Sequence, residues 1–237
     1  MKKVLFITFF VIFFCHSSFS QSKSRFGFIA GVNHFSLRGD YLVDDAESEY
    51  GVSYGVSYEY KFHKRLSLVT GLIIEKKNIN YHSEFNRTYF NENFEFVSDD
   101  YSLSTKSKFQ YFTLPILLRF SFLKNNSVFI NGGFFISTTG NIEKTTKTKN
   151  LTQGYSFESS TKEDENFPFA NDIDGFDYGV SFGLGKSFDI NKKSKISLEL
   201  RNNLGLVNAI ANINKYGKTG TIKTNTINLI LNWNFNL

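Results

Sequence analysis

Cysteine and proline are scarce in this 237-residue chain, which has one cysteine, one methionine and two prolines. The cysteine, Cys15, lies among the first twenty residues, so the rest of the chain has no thiol for a disulfide, a nucleophile or a metal ligand. The four histidines are scattered and have no metal-ligand spacing. We therefore expect no cofactor and no bound metal ion.

Long apolar runs are missing too. After residue 20, no run approaches the roughly 18 residues that a membrane-spanning helix requires, which excludes a helical membrane protein. The hydrophobic fraction of 41% is nevertheless enough for a sizeable core and excludes a disordered chain. The isoelectric point of about 9.1 comes from scattered charges without a stripe of lysine and arginine, so nucleic acid is not an expected partner.

The N-terminal segment has the parts of a secretory signal. Two lysines precede the apolar residues 4–14, and Ser18 and Ser20 place small side chains at the positions that a signal peptidase reads. The apolar part is too short for a membrane anchor, and the bulky residue before Cys15 argues against lipid attachment there. We expect residues 1–20 to be a cleaved signal peptide, with the mature chain beginning near Gln21.

Apolar and polar residues alternate strictly in several parts of the mature chain. In residues 50–62 every even position is apolar or aromatic and every odd position is small or polar, which is the period of a β-strand. Similar rows occupy residues 112–122, 178–188 and 226–237. Weaker alternation covers residues 26–35, 66–77, 127–138 and 195–205. The pattern predicts eight strands.

The connections between these strands are alternately short and long. The short ones lie around His63-Lys64-Arg65, Lys124-Asn125-Asn126 and Asn191-Lys192-Lys193. The long ones cover residues 37–49, 78–107, 139–176 and 206–224. This favours an all-β fold, an eight-stranded antiparallel up-and-down transmembrane β-barrel with short periplasmic turns and long extracellular loops. Aromatic alternation within the two longest loops indicates hairpins that continue beyond the membrane.

A soluble sandwich or a lipocalin-like barrel is the main alternative, because any half-buried antiparallel sheet alternates in this way. Two features favour the membrane barrel. The face opposite the apolar rows is largely glycine, serine and asparagine, which suits a narrow lumen better than a solvent face. Aromatic residues also collect at the strand ends near the short turns, as in an interfacial girdle. They are Phe26, Phe28, Tyr60, Phe62, Phe120, Phe122, Phe188, Trp233 and Phe235.

The interior of an eight-stranded barrel is narrow enough for side chains to fill. If the polar face points inward, seven charged residues lie in the lumen: Glu59, Lys61, Glu75, Lys77, Arg119, Glu199 and Arg201. We expect a structural cluster of ion pairs near the periplasmic end, since buried charges persist when they are paired. A gated ion or proton path is the alternative. Pro115 lies within a predicted strand, where its missing N–H predicts a bulge.

Candidates for catalysis are few. His34 and His82 fall at the outer ends of the first and third predicted strands, where Ser83 or Asp40 would have to complete a site. His34 shares the parity of the lipid-facing row, which favours an interfacial position. We therefore expect no enzyme activity, and a lipid-modifying or proteolytic barrel is the alternative.

Four segments carry a family resemblance: FGFIAGVNHFS, FQYFTLPILLRFSF, LELRNNLGLVNAI and TINLILNWNF. They resemble the PorT-like outer-membrane β-barrel family, which is typical of Bacteroidetes. The resemblance implies the outer membrane of a Gram-negative bacterium as the location. It describes barrel strands rather than an activity, although the family takes its name from a member implicated in protein secretion and gliding.

Together these features predict one outer-membrane barrel domain over residues 21–237. We expect a filled lumen and extracellular loops that serve in interaction or envelope organisation, with lipid of the outer membrane and a protein at the loops as partners. A PorT-like accessory role in protein secretion is the alternative that the resemblance implies. The oligomeric state stays open.

Overall fold

The computed structural model describes residues 23–39, 46–91, 93–122, 127–162, 175–209 and 221–237. Nine strands follow one another along these residues. They are β1 (Ser24–Gly39), β2 (Ala46–Lys61), β3 (Leu66–Phe90), β4 (Phe96–Phe122), β5 (Val128–Asn150), β6 (Ser156–Lys162), β7 (Phe176–Asp189), β8 (Ser194–Gly205) and β9 (Ile222–Asn236). In the part of the chain that is described, no helix has the length and hydropathy to cross a bilayer.

Eight of the strands close into a ring. Each is antiparallel to the next in the order β1, β2, β3, β4, β5, β7, β8 and β9, and β9 pairs back with β1. The short strand β6 pairs with the end of β5, outside the ring. The prediction of an eight-stranded up-and-down transmembrane barrel is confirmed. Where a predicted strand extends beyond the observed ring strand, it does so by one residue. Closure leaves no unpaired edge around the ring.

Side chains of the ring strands alternate between the outer surface and the lumen. In β2, Tyr54 and Tyr58 are exposed outward, whereas Ser53, Ser57 and Glu59 are buried inside. The same alternation in all eight ring strands produces an apolar outer surface of the kind that contacts hydrocarbon.

The lumen also contains large apolar side chains, which the sequence analysis did not place there. Phe35, Ile79, Phe109 and Tyr111 form one buried cluster. Glycines provide the space for such residues: a Cβ atom at Gly179 would lie 2.7 Å from the ring of Phe135. The lumen is therefore filled by large residues opposite small ones, as a narrow barrel requires.

Two of the predicted long loops are mostly strand. β3 and β4 run through residues 78–90 and 96–107, and β5 and β6 occupy much of the segment after residue 139. The hairpins that aromatic alternation indicated beyond the membrane are present, and their strands extend further than that alternation marked. Outside the bilayer no face of a hairpin has to meet hydrocarbon, so backbone pairing continues where the strict alternation of apolar and polar residues ends. Residues 1–20, residues 124–126 and residues 163–174 lie outside the described residues.

Pro115 does not cause a bulge. It pairs with Phe135, and the pairs Thr70–Ile116 and Ile73–Thr113 on its other side share one register. The register shifts instead between Phe109 and Tyr111, where β5 has one extra residue. Proline removes one ladder hydrogen bond, and the barrel accommodates this loss without an inserted residue.

Candidate functional site

Three buried charged residues from three strands meet at the short-turn end of the lumen. The Arg119 guanidinium of β4 lies 3.3 Å from Glu59 Oε2 of β2 and 3.5 Å from Glu199 Oε2 of β8. All three side chains are almost fully buried. They are close because each lies within about five residues of the same rim, where β2 and β4 end and β8 begins, which places the three at one depth.

The network is completed by neighbours that hold each charge in position. Arg201 donates two hydrogen bonds to Glu199, of 2.7 and 2.9 Å, and Arg119 Nε donates to Asn131 Oδ1 at 3.0 Å. The Arg119 guanidinium also lies 3.9 Å from the centre of the Phe129 ring. Two cations and two carboxylates thus balance one another in the interior, which is the condition for burying charge.

Gly183 makes room for this network, because a Cβ atom there would lie 2.5 Å from Glu199 Oε1. Arg25 extends the network towards the rim: it lies 3.6 Å from Glu59 and donates to Asn236 Oδ1 at 2.9 Å. Arg25 was not predicted as a lumen residue, because it lies one residue before the predicted start of the first strand. Odd-numbered residues of β1 face the lumen, and this parity is the sequence signal that identifies Arg25. Lys61 lies at the mouth, half-buried.

Glu75 and Lys77 form a separate group. Lys77 Nζ lies 3.0 Å from Glu75 Oε2, and Thr113 donates a hydrogen bond of 2.8 Å to the same oxygen. Lys77 also lies 4.4 Å from the centre of the Tyr111 ring. On β3, six residues separate Glu75 from Val69, the partner of Glu59, which corresponds to about 20 Å along the strand. The seven predicted charges therefore do not form one cluster.

Polar and apolar side chains fill the lumen between these two groups. Ser53 bridges Asn33 and Asn228 through hydrogen bonds of 2.9 and 3.1 Å. Ile29, Ile73 and Ile230 form a buried apolar cluster in the same region. This interior blocks a wide diffusion path. Asp177, near the outer end, is a buried carboxylate that the sequence analysis missed because it lies at the edge of a segment interpreted as loop.

The predicted girdle residues all lie on the outer surface at the short-turn rim. Neighbouring rings contact one another: Phe26 and Phe28 are 5.4 Å apart between ring centres, and Trp233 and Phe235 are 4.9 Å apart. Lys186 places its ammonium group 5.2 Å from the Phe188 ring, as expected for a lysine that reaches towards the interface. The full set is Phe26, Phe28, Tyr60, Phe62, Phe120, Phe122, Phe188, Trp233 and Phe235.

A second aromatic band, formed by residues of β2, β4 and β7, lies at the opposite end and was not identified from the sequence. Tyr50, Phe112, Phe176 and Tyr178 are exposed on the outer surface there. Tyr50 and Tyr60 lie ten residues apart on β2, which corresponds to about 33 Å along a strand and to about 25 Å of membrane when the strand is tilted. The two bands are therefore one hydrocarbon thickness apart.

The two histidines considered for catalysis lie in different surroundings. The His34 ring lies 5.1 Å from the ring of Tyr50 on the outer surface. His82 lies 3.7 Å from Glu84, and Ser83 points to the opposite face of the strand. Asp40 lies outside the described residues. Among the residues that the structure describes, no three His, Cys, Asp or Glu side chains are grouped to hold a metal ion.

Beyond the outer band, four strands form what we call the extracellular sheet: residues 81–90 of β3, residues 96–105 of β4, residues 146–150 of β5, and β6. Asp99 is buried at its centre and accepts hydrogen bonds from Tyr89, Asn150 and Gln153 at 3.1, 3.0 and 3.0 Å. The hydrogen bond to Asp99 raises the pKa of Tyr89. This network connects three strands and the turn after β5.

The tip of the extracellular sheet exposes aromatic side chains. Phe94 is 88% exposed in the turn between β3 and β4, and Phe96 is 75% exposed. Phe157, 67% exposed, lies on β6 opposite Thr148, away from this tip. Phe90 and Phe96 contact each other across the hairpin, with ring centres 4.1 Å apart. The backbone at Phe94 has a φ of 60°, a conformation that a bulky residue rarely adopts. The turn therefore holds an apolar ring in water at a local conformational cost.

A closed eight-stranded ring with an apolar outer surface, an aromatic band at each end and a filled lumen defines a small outer-membrane β-barrel protein. The family model of the outer membrane protein beta-barrel domain matches residues 19–211, and the chain belongs to this family. Membership of this family implies that the protein resides in the outer membrane.

Similar solved structures include three outer-membrane barrels. Neisserial surface protein A shares 13% identity, with 90% of this chain and 97% of that chain covered and a TM-score of 0.40. OprG from Pseudomonas aeruginosa shares 10% identity over 92% and 99% of the two chains, with a TM-score of 0.37. Ail from Yersinia pestis shares 12% identity over 90% and 99%, with a TM-score of 0.33. No curated protein is significantly similar in sequence.

Proposed function

We propose that this protein is a non-enzymatic outer-membrane barrel that presents its extracellular sheet to a protein partner. The observation that carries the proposal is the group of exposed aromatic side chains at the tip, beyond the outer aromatic band and therefore outside hydrocarbon. Apolar surface that stays exposed to water marks an interaction site, and aromatic residues dominate the energetics of protein interfaces.

The extracellular sheet is organised to hold this surface in place. Asp99 connects Tyr89 of β3 to Asn150 of β5 and to Gln153 in the following turn. Asn150 Oδ1 also accepts a hydrogen bond from the backbone N–H of Gln153 at 2.8 Å. A surface fixed before binding loses less conformational entropy when a partner docks, which favours affinity.

A PorT-like accessory role in secretion is a second form of this proposal, in which the partner belongs to the secretion apparatus. The four segments that resemble the PorT-like family support it. Export through a signal peptide cleaved near Gln21 belongs to the same proposal. N-terminal sequencing of protein purified from outer membranes tests the cleavage, and a deletion strain that exports its proteins normally contradicts the secretion role.

Site-specific crosslinking in intact cells tests the docking surface. A photoreactive residue replaces Phe94 or Phe96, and the matched control replaces Lys149, which is exposed on the same sheet opposite Ser102, away from the tip. We expect a discrete crosslinked protein from the two tip positions and none from the control. The proposal is contradicted if all three positions give equal products. It is also contradicted if the tip positions give no product in a barrel that is folded, as shown by heat-modifiable migration on a gel.

The absence of enzyme activity is tested separately through the histidines. Alanine substitutions of His34 and His82 should leave the lipid profile of the envelope and the cleavage of surface proteins unchanged. A change in either profile, in a variant that reaches the outer membrane in normal amounts, contradicts the non-enzymatic proposal.

A further inference from the structure

The short-turn end of the lumen contains a cavity of about 160 Å³. Its charged lining residues are Arg25, Lys61, Arg119, Lys195, Glu59 and Asp189. Lys61 precedes the first short turn, and Asp189 and Lys195 flank the third, so the cavity lies at the periplasmic mouth of the barrel. Its volume is several times the roughly 30 Å³ share of one water molecule, which leaves space for a small hydrated ion.

The charges around this cavity do not balance. Deeper in the lumen, Glu199 is matched by Arg201 through two hydrogen bonds. Glu59 is shared between Arg119 and Arg25 at 3.3 and 3.6 Å. The pair of Lys195 with Asp189, at 3.3 Å, is weakened because the Asp189 side chain is 62% exposed to solvent.

Lys61 forms no ion pair with the residues that the structure describes. When the deeper pair of Arg201 and Glu199 is included, five cationic side chains face three carboxylates. The region therefore has a surplus of two positive charges.

One donor of a lining residue lacks a well-formed hydrogen bond. Arg119 Nη2 is inaccessible to solvent and makes no hydrogen bond in the described part of the chain, although Glu199 Oε2 lies 3.5 Å away in an ion pair, while Nε and Nη1 of the same guanidinium are bonded. A buried guanidinium N–H without a well-oriented acceptor is unfavourable. The hydroxyl groups of Ser121 and Ser187 line the cavity and add further donors, whereas the Ser67 hydroxyl hydrogen-bonds Glu59.

We propose that this cavity is an anion site open to the periplasm and that it binds a phosphate group. A phosphate dianion matches the surplus of two positive charges, and its tetrahedral oxygens accept hydrogen bonds from guanidinium, ammonium and hydroxyl donors together. The phosphate is either inorganic phosphate in the periplasm or the phosphate of a phospholipid headgroup in the inner leaflet. The site lies at the other end of the barrel from the extracellular sheet and does not depend on the proposed function.

Calorimetric titration of inorganic phosphate into the folded mature protein in zwitterionic detergent tests the site. Lys61→Gln removes one positive charge from the cavity lining. Because Lys61 forms no ion pair with the described residues, the substitution leaves no carboxylate of theirs uncompensated. Lys192→Gln is the control, because it makes the same charge change in an exposed turn of the same rim, outside the cavity. We expect saturable binding by the parent protein, at least tenfold weaker binding by Lys61→Gln and unchanged binding by Lys192→Gln.

Two results would overturn the proposal. One is the absence of saturable binding at millimolar phosphate by a parent protein that shows heat-modifiable migration. The other is equal weakening by Lys61→Gln and Lys192→Gln, which indicates a nonspecific response to net charge. Heat-modifiable migration of each variant shows that it has folded, so a loss of binding cannot be assigned to misfolding.

Reconstitution in two bilayers distinguishes the sources of the phosphate. The same titration is made in nanodiscs of phosphatidylcholine and in nanodiscs rich in phosphatidylglycerol. If the headgroup is the natural ligand, phosphatidylglycerol weakens phosphate binding by the parent protein and does not change the residual binding by Lys61→Gln. If free phosphate is the ligand, the parent protein binds it equally in both bilayers. Either result supports the site.

Discussion

Arg119 and Glu59 lie 3.3 Å apart although their strands are not neighbours. Glu59 is on β2 and Arg119 on β4, and β3 lies between these two strands in the ring. The pair therefore spans the inside of the barrel wall over an intervening strand. It connects two strands through the lumen in addition to the backbone ladders, and it closes the lumen near its periplasmic end.

Removing the charge of Glu59 should destabilise the barrel strongly. Glu59→Gln leaves Arg119 with an incompletely compensated charge in the interior, and breaking such a pair typically costs about 3–5 kcal/mol. Urea unfolding in lipid vesicles measures the change. Glu84→Gln, at an exposed position, is the control and should change the free energy of unfolding by less than about 0.5 kcal/mol. Equal stability of Glu59→Gln and the parent protein contradicts the role of the pair.

The second buried pair should show strong coupling between its partners. Lys77→Met alone leaves the Glu75 carboxylate uncompensated, and Glu75→Gln alone leaves the Lys77 ammonium uncompensated. The double variant removes both charges and should recover most of the lost stability, since a buried ion pair is often replaceable by uncharged residues. A double-mutant cycle in the same unfolding assay measures this coupling. Additive losses would show that the two charges do not depend on each other.

Two adjacent glycines of β5 should respond differently to the same substitution. A Cβ atom at Gly133 would collide with the carbonyl oxygen of Ile116, whereas one at Gly132 would meet only the Phe182 ring, at 3.9 Å. We expect Gly133→Ala to lower the free energy of unfolding by about 1–3 kcal/mol, as overpacking does, and Gly132→Ala to have little effect. Similar losses from both variants contradict the steric explanation.

The filled lumen should not conduct like a porin. Ion pairs, the isoleucine cluster and the apolar cluster around Phe109 occupy the interior at successive depths. In planar bilayers we expect no steady conductance of porin size from the parent protein. Such a conductance, scaling with the amount of folded protein inserted, would show that the interior opens and would favour the ion path considered from the sequence.

The extracellular network predicts a pH effect at Tyr89. Its pKa is raised in the folded protein by the hydrogen bond to Asp99, so this bond stabilises the sheet below the ordinary tyrosine pKa of about 10 and is lost as the pH rises through the higher folded value. Ultraviolet titration of the parent protein minus that of Tyr89→Phe isolates this residue. Asp99→Asn should move the midpoint back towards its ordinary value, and an unchanged midpoint contradicts the assignment.

The fold was largely predictable because the two faces of a membrane strand have different surroundings, hydrocarbon on the outside and the lumen on the inside. Tyr54 and Ser53, adjacent in sequence, point respectively to hydrocarbon and to the lumen, and this requirement appears directly as a period of two. The same parity indicates which of the charged residues face inward. It marks the extracellular sheet only weakly, through the aromatic alternation that includes Phe94 and Phe96, because no face of that sheet has to meet hydrocarbon.

The order of residues alone shows which side of the wall each membrane residue faces, since the alternation of the backbone and the contrast between lipid and lumen leave one arrangement. Which lumen residues meet one another depends instead on the closed ring. Depth along tilted strands and the register of the ring bring Glu59, Arg119 and Glu199 together and leave Glu75 with Lys77. Those distances depend on how eight strands close around one another, and no local pattern encodes that closure.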